Sequence, residues 1–349
     1  LTDRGAKIIE NNCRGYFSYL RGENPITFPI RFYPDINRDI NCIGGDATNV
    51  AYQKYPQYKI DGITDIEESE QFKFMKMYSS IMDGDQKYIY ESFIDDISQE
   101  INENNLNLSN RNIGSQLSNV VFYNEDDYYK DCFGQRGFEK IFNVKSSRRS
   151  KKCSYNNEDN QILSMENLKS CSSKIHTIID NMLKNHSEGI IFIYSDYIYS
   201  GILPMAIALE HIGFQKYNGE NILEVPKKTK IDKIGHDLKP LSKNNKQAKY
   251  IILTGDKSLS PNNEKERKDS LNINNMNGEN IKIILGNSVT SEGMDFKNIR
   301  EIHVLDPWYH LYKIEQIIGR GIRYCSHSYH KQEKQNVTVF LHTALIDKN

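Results

Sequence analysis

Long apolar runs are missing from this sequence, and so is any excess of charge of one sign. No stretch approaches the roughly 20 residues needed to cross a bilayer, and no signal peptide is visible, so no membrane partner is expected. The 45 Lys and Arg against 46 Asp and Glu leave a net charge of −1. A chain so balanced has no global positive field to draw in nucleic acid, and any such binding has to come from local patches. Cysteine is sparse, six in 349 residues, and no pair has the C-x-x-C spacing of a zinc ribbon. Free thiols in a reducing cytosolic or nuclear compartment are the default.

The length allows two ordinary domains or one large domain with insertions. Five short runs are continuously apolar and rich in β-branched residues: Ile190–Tyr194, Tyr250–Leu253, Ile281–Leu285, Ile302–Leu305 and Val337–Leu341. Continuous rather than alternating apolarity suits strands buried on both faces. Helical patterns lie between them, at Leu203–Ile212 with Gly213 as a cap, at the charged Glu264–Leu271 and at the amphipathic Tyr309–Tyr324. The alternation predicts an α/β fold, a parallel sheet flanked by helices. Upstream, Phe72–Tyr78 is apolar and precedes a helical pattern through Tyr88, Ile89, Phe93, Ile94 and Ile97. Residues 100–165 are dominated by Asn, Ser and charge, and predict an irregular or helical insertion with a mobile loop. A second loop is expected over Pro226–Lys249. Four prolines break up residues 1–60, and the start at Leu1 suggests a piece of a longer protein.

The element with the most chemistry in it is Leu311–Arg323. On a helix of about 100° per residue, Gln316, Arg320 and Arg323 fall in one stripe, and Leu311, Ile314, Ile318 and Ile322 on the opposite face. Gly319 and Gly321 each cost about 1 kcal/mol relative to Ala inside a helix, which suggests close approach by a polyphosphate or a facing domain. Arginine suits a phosphoryl group losing its leaving oxygen, because its planar fork donates two hydrogen bonds with fixed charge. The bland alternative is a surface helix with solvated arginines. Just upstream, the buried strand Ile281–Leu285 runs into a polar loop that ends in Thr290-Ser291-Glu292-Gly293-Met294-Asp295, and loops at the C-terminal edge of a parallel sheet are where ligands bind. Gly293 lets the backbone turn, and Asp295 is placed to accept from a ribose. The alternative is an ordinary strand–turn–helix connection.

The order of the pieces carries a resemblance. Ile193-Tyr194-Ser195, Gly201, Thr254-Gly255 and Arg267 are followed by Ser291-Glu292-Gly293-Met294-Asp295, Leu305-Asp306-Pro307-Trp308 and Gln316-x-x-Gly319-Arg320-x-x-Arg323. This series resembles motifs IV, V and VI of superfamily 2 helicases. Asp306-Pro307-Trp308, the extended Ile317-Ile318-Gly319-Arg320-Gly321-Ile322-Arg323 and Ser326-His327 look like the helicases of large cytoplasmic DNA viruses, the group of the poxvirus early transcription factor ATPase subunit and the viral nucleoside triphosphate phosphohydrolase. Arg14-Gly15-Tyr16 through Asn24-Pro25 is similar to the stretch after motif III in that group. Met77-Tyr78-Ser79 with Gln86 and Tyr90 resembles the opening of the second lobe in Swi/Snf-like ATPases.

The resemblance implies a RecA-like second lobe over 66–349, interrupted at about 100–165, with 1–65 as a linker or tail after a first lobe. It implies that Arg320 and Arg323 reach the γ-phosphate of ATP held with Mg²⁺ on that first lobe, and that Gln316 couples nucleotide to interface. Gly293, Asp295 and Gly319 would border the nucleotide, and Ser195 and Thr290 would touch a nucleic-acid backbone. The chain departs from the family in having no G-x-x-x-x-G-K-[ST] phosphate loop and no acidic D-E-x-H or D-E-x-D box. The fragment alone is therefore expected to be inactive. The implied partners are the missing first lobe, nucleic acid (DNA ahead of RNA) and the transcription machinery, in a cytoplasmic viral factory or virion. Arg148 and Arg149, in the basic run Lys145–Lys152, are secondary candidates for phosphate contact, with a solvated loop as the alternative. Cys325, His327 and His330 match no common zinc spacing, so no metal site is expected. Two rival functions stand beside the motor: a non-catalytic helicase-like scaffold, and a type III restriction-like translocase subunit.

Overall fold

The computed structural model describes residues 4, 7, 27–34, 42–43, 57–59, 64–71, 76–98, 107–124, 128–184, 189–217, 219–224, 247–291, 294–308 and 310–346. The expected Pro226–Lys249 loop falls almost wholly outside the described residues, as does most of the 1–65 segment.

The strands are β1 (Ile30–Phe32), β2 (Cys42–Ile43), β3 (Met77–Ile81), β4 (Phe142–Ser146), β5 (Lys151–Tyr155), β6 (Ile190–Tyr194), β7 (Gln215–Lys216), β8 (Lys249–Leu253), β9 (Ile283–Gly286), β10 (Ile299–Val304) and β11 (Asn336–Leu345). Nine of them form one sheet in the order β2-β3-β11-β10-β6-β9-β8-β7, with β1 also paired to β11. All its pairings are parallel except β2 with β3. At its centre Ile302 stands opposite both Val339 of β11 and Phe192 of β6. The expected α/β parallel sheet with flanking helices is therefore the observed fold, and each of the five apolar runs falls on a strand.

The period of two along each strand explains the unbroken apolarity. In β6, Ile191 and Ile193 face one core with neighbours such as Ile252, Ile283 and Leu285, under helices Ser173–Lys184 and Leu203–His211. Ile190, Phe192 and Tyr194 face the other core, with Ile299, Ile302, Val304, Val339 and helix residues Ile314, Ile317 and Ile318. The sheet is buried on both sides, so both sets of alternating residues are apolar.

The 100–165 region, expected to be an irregular or helical insertion, is more ordered than its composition suggests. Over its described residues it holds helices Leu108–Asn119 and Gly134–Ile141 and the antiparallel β4–β5 hairpin. Its Phe122, Phe138, Phe142 and Tyr155 belong to the same core as Ile191 and Ile193. Polar composition hid this, because few apolar residues in each element suffice when they fall on one face. The 1–65 segment likewise is more than a linker, since β1 and β2 extend the sheet.

Two of the buried histidines bear on how stability follows pH. His342 of β11 shares a hydrogen bond of 3.0 Å with His303 of β10. His327 Nδ1 meets Ser326 Oγ at 2.8 Å and its Nε2 meets the Ile299 carbonyl at 2.6 Å. Burial pushes His327 down to about 4 and holds His342 well below the usual imidazole value. Both stay neutral in the folded chain, while an unfolded histidine gains a proton below about pH 6.5. The unfolded state then binds more protons, so the stability these two contribute is lost as pH falls from about 6.5 towards 4. Buried Glu210, pushed up to about 7, runs in the opposite sense. NMR titration of the ring nitrogens separates them: His327 and His342 are expected to remain neutral at pH 5.5, and titration of either near 6.5 would contradict the assignment.

Candidate functional site

The helix leading to Arg320 and Arg323 is shorter than its sequence pattern. It spans Leu311–Ile318 and ends at Gly319, whose N–H still reaches the Glu315 carbonyl at 2.8 Å. Arg320 and Arg323 lie in the turns beyond, where the helical ladder has stopped. Ile314, Ile317 and Ile318 bury the inner face, whereas Leu311, expected to be inside, is 55% exposed. Leu311 is the first residue of the helix, at the open end of the apolar stripe.

Gly321 has a packing reason beside the expected close approach of a polyphosphate or a facing domain. A Cβ on Gly321 would stand 3.0 Å from Ile302 Cδ1 and 3.3 Å from Ile299 Cβ. Gly321 is small because it lies directly on β10.

The helix runs back along β10. Near its start, Lys313 Nζ donates to Asp196 Oδ2 at 2.5 Å, just past the end of β6, and stands 4.5 Å over the Trp308 ring. Beyond its end, the Asn298 N–H just ahead of β10 donates to the Ser326 carbonyl at 3.0 Å, and the Phe296 N–H to the Arg320 carbonyl at 3.0 Å. Asp295 accordingly sits on the approach to β10 and not at the C-terminal edge of the sheet, where the sequence placed its loop. There it gathers both guanidiniums. Arg323 Nη1 is 2.8 Å from Asp295 Oδ2, and Arg320 Nη1 is 3.7 Å from Oδ1. Arg323 Nε also donates to the Gly319 carbonyl at 3.2 Å. The Arg320 side chain is 13% exposed, while Arg323 and Asp295 are 45% and 52% exposed. Two fixed positive charges thus converge on one carboxylate at the surface, an arrangement that suits a competing oxyanion such as a phosphate. Gln316 lies one turn earlier, half-buried. Gly293 lies outside the described residues.

Other candidates are placed elsewhere. Ser195 and Thr290 are buried. Ser195 Oγ accepts from the Tyr197 N–H at 3.2 Å, and Thr290 Oγ1 donates to the Asn287 carbonyl at 2.6 Å. Both hydroxyls close their own turns, so neither offers an atom to a nucleic-acid backbone. Arg148 and Arg149 are exposed at the tip of the β4–β5 hairpin. The lysines of that basic run are instead paired with carboxylates: Lys151 with Asp256 at 2.8 Å, Lys152 with Glu220 at 2.7 Å and Lys145 with Glu224 at 3.1 Å. The patch of the run is thus centred on its two arginines. His327 spends both ring nitrogens on hydrogen bonds, and among the described residues no group of three or more His, Cys, Asp or Glu is placed to hold a metal ion.

A polar network that composition did not reveal holds the helix start. Buried Asp306 accepts from the Asn119 side-chain amide at 3.1 Å through Oδ1 and from the Asp196 N–H at 2.8 Å through Oδ2. Buried Lys174 donates to Asn119 Oδ1 at 3.1 Å, Ser118 Oγ at 3.0 Å and the Leu305 carbonyl at 3.0 Å. Burial raises Asp306 to about 6 and lowers Lys174 to about 8. At neutral pH both remain charged, and each offsets the other. Asp306 stands out in the sequence through its Asp-Pro-Trp setting, but Lys174, Asn119 and Lys313 carry no local signal.

The family model of the helicase conserved C-terminal domain matches residues 204–325, which include Asp295, Gln316, Arg320 and Arg323. Over those residues the chain is similar to the helicase C-terminal domain. Among similar proteins, one named as an ATP-dependent RNA helicase of Acanthamoeba polyphaga mimivirus is 26% identical over 97% of this chain and 44% of its own length. The killer plasmid pGKL-2 helicase of Kluyveromyces lactis is 31% identical over 59% of this chain and 29% of its own. A termination factor NPH-I homolog of African swine fever virus is 30% identical over 48% and 26%. The chain thus spans less than half the length of these relatives. Among solved structures, the SWI2/SNF2 ATPase core of Sulfolobus solfataricus aligns over 84% of this chain and 43% of its own at 12% identity, with a TM-score of 0.39. Helicases of large DNA viruses are thus among the proteins to which this chain is similar, as the motif order implied.

The contact of Gly321 with β10 predicts the effect of filling it. Gly321→Ala is expected to lower stability by about 1–3 kcal/mol through overpacking, read as the denaturant midpoint of the isolated chain. An unchanged midpoint would show that the glycine serves something other than packing.

Proposed function

We propose that this chain is the second lobe of a nucleic-acid-dependent ATPase motor, with Arg320 and Arg323 as its arginine fingers. The observation that carries this reading is the convergence of both guanidiniums on Asp295. A γ-phosphate entering the same space offers more negative charge and more acceptors than one carboxylate, so the arginines exchange Asp295 for phosphate when nucleotide arrives. Their fixed charge then stabilises the phosphoryl group as it leaves. Gln316, one turn before, couples that contact to the interface, and Gly293, Asp295 and Gly319 border the nucleotide. ATP and Mg²⁺ are held by a first lobe carrying the phosphate loop and acidic box that this sequence lacks. The residues described here fit the phosphate end of ATP and offer no donor set for the metal.

Arg148 and Arg149 supply phosphate contacts to a nucleic-acid strand from the hairpin tip. The names of the relatives, RNA helicases and a termination factor homolog among them, support a role in viral transcription or genome handling, in a viral factory or virion. Nucleic acid is the partner class, with DNA and RNA to be separated by which of them stimulates hydrolysis.

In the full-length protein, Arg323→Ala and Arg320→Ala are each expected to lower ATP turnover by about 10³-fold or more, with nucleotide affinity changed far less. The isolated chain is expected to hydrolyse no ATP. Robust hydrolysis by the isolated chain, or finger variants that turn over normally, would sink this reading. A full-length protein with no nucleic-acid-stimulated hydrolysis would favour the helicase-like scaffold.

A further inference from the structure

The two arginines lie beyond the end of their α-helix, in turns closed by short-range bonds: the Arg320 and Gly321 N–H groups reach the Ile317 and Ile318 carbonyls, each at 3.1 Å. A second element holds this segment from outside. Residues 27–33 grip that segment on both sides. Ahead of the arginines, Arg31 Nη1 donates to both carboxylate oxygens of Glu315, at 2.8 and 3.0 Å, immediately before Gln316. Behind them, the Cys325 N–H donates to the Thr27 carbonyl at 2.6 Å, two residues past Arg323. There Phe28 meets the Tyr324 ring edge-on, with centroids 6.0 Å apart at 67°. Cys325 has a positive φ of 55°, so the chain reverses at this point of attachment.

The grip is itself anchored. β1 runs parallel to β11, with Arg31 opposite Val337, and the Ile30 N–H donates to the Gln335 carbonyl at 2.8 Å. Tyr33 packs into the core that contains Ile314, Ile317 and Ile318, and the Arg31 guanidinium lies 4.9 Å over its ring. Residues 27–33 therefore form a strap, seated on the sheet and tied to the finger segment before Gln316 and after Arg323.

We infer that this strap is part of the arginine site, with Arg31 as a positioning residue that sets the direction of Arg320 and Arg323 without touching nucleotide. The inference rests on the arginine-finger reading above. A pair such as Arg31–Glu315, whose side chains are 26% and 60% exposed, adds little to folding stability. Nη1 held between both carboxylate oxygens fixes orientation instead. Catalysis is sensitive to that kind of placement, since a misplacement of about 1 Å can cost about 10²-fold in rate.

The test uses the full-length protein with four variants beside wild type: Arg31→Ala, Arg31→Glu, the exchange Arg31→Glu with Glu315→Arg, and Arg323→Ala. Arg31→Ala is expected to lower kcat about ten-fold with KM for ATP within about two-fold and the thermal unfolding midpoint unchanged. Arg31→Glu is expected to be worse, and the exchanged pair to recover most of the loss. A merely structural contact would shift the unfolding midpoint and leave kcat alone. Full turnover in Arg31→Ala, or a loss that the exchange leaves unrepaired, overturns the strap inference. If Arg323→Ala abolishes turnover while Arg31→Ala does not, only the strap has failed. If neither variant slows hydrolysis, the finger reading has failed with it.

Discussion

The placement of the finger helix depends on a buried carboxylate at the end of β10. Asp306 is where helix Leu108–Asn119, the end of β6 and, through Asn119, helix Ser173–Lys184 meet. Asp196, held by its own N–H on Asp306, turns its side chain to Lys313 and to the Tyr194 hydroxyl, the latter at 2.7 Å. The chain of contacts thus runs from Lys174 in one layer, through the sheet edge, to the first turn of the finger helix in the other. Removing one partner of such a buried charged set costs about 3–5 kcal/mol, because the remaining charge is left in a poor solvent. A network this expensive to break gives the helix one seat. The isoleucine face then lays it along β10, and Gly321 allows the segment that follows to touch the strand.

What emerges at the far end is a short irregular segment that presents the two guanidiniums. Its carbonyl at Arg320 and the carbonyl at Ser326 are bonded to the N–H groups of Phe296 and Asn298, so the loop ahead of β10 and the finger segment form one unit. Asp295 belongs to that unit, and this is why it reaches both guanidiniums. A carboxylate there keeps two like charges close together in a protein that, with a net charge of −1, has no surplus positive field to spare. In the proposed motor the same carboxylate would be the competitor that a phosphate displaces, which would tie the resting position of the arginines to the arrival of nucleotide.

Much of this was legible in the sequence, for reasons that can be named. The five central strands were readable because burial on both faces removes polar residues from them almost entirely. Arg320, Arg323 and Asp295 were readable as a group from the order of short motifs, and the structure brings them together. Other features depended on distance in space rather than in sequence. Asn119 meets Asp306 across 187 positions and Arg31 meets Glu315 across 284, with no local pattern to announce either. Ser195 and Thr290 show the opposite failure. Their hydroxyls sit at strand ends where a ligand contact is plausible by type, yet each is used up closing its own turn. The hairpin of the 100–165 region and its packing into the main core were not legible, because polar outer faces outweigh the few aromatic residues that complete that core.

The most direct measurement of the central claim is a structure of the full-length protein bound to ADP and a phosphoryl-transfer mimic such as aluminium fluoride. The account predicts that both Arg320 and Arg323 have left Asp295 and lie within hydrogen-bonding distance of the mimic. Guanidiniums still paired with Asp295, with the mimic contacted by other groups alone, would contradict it.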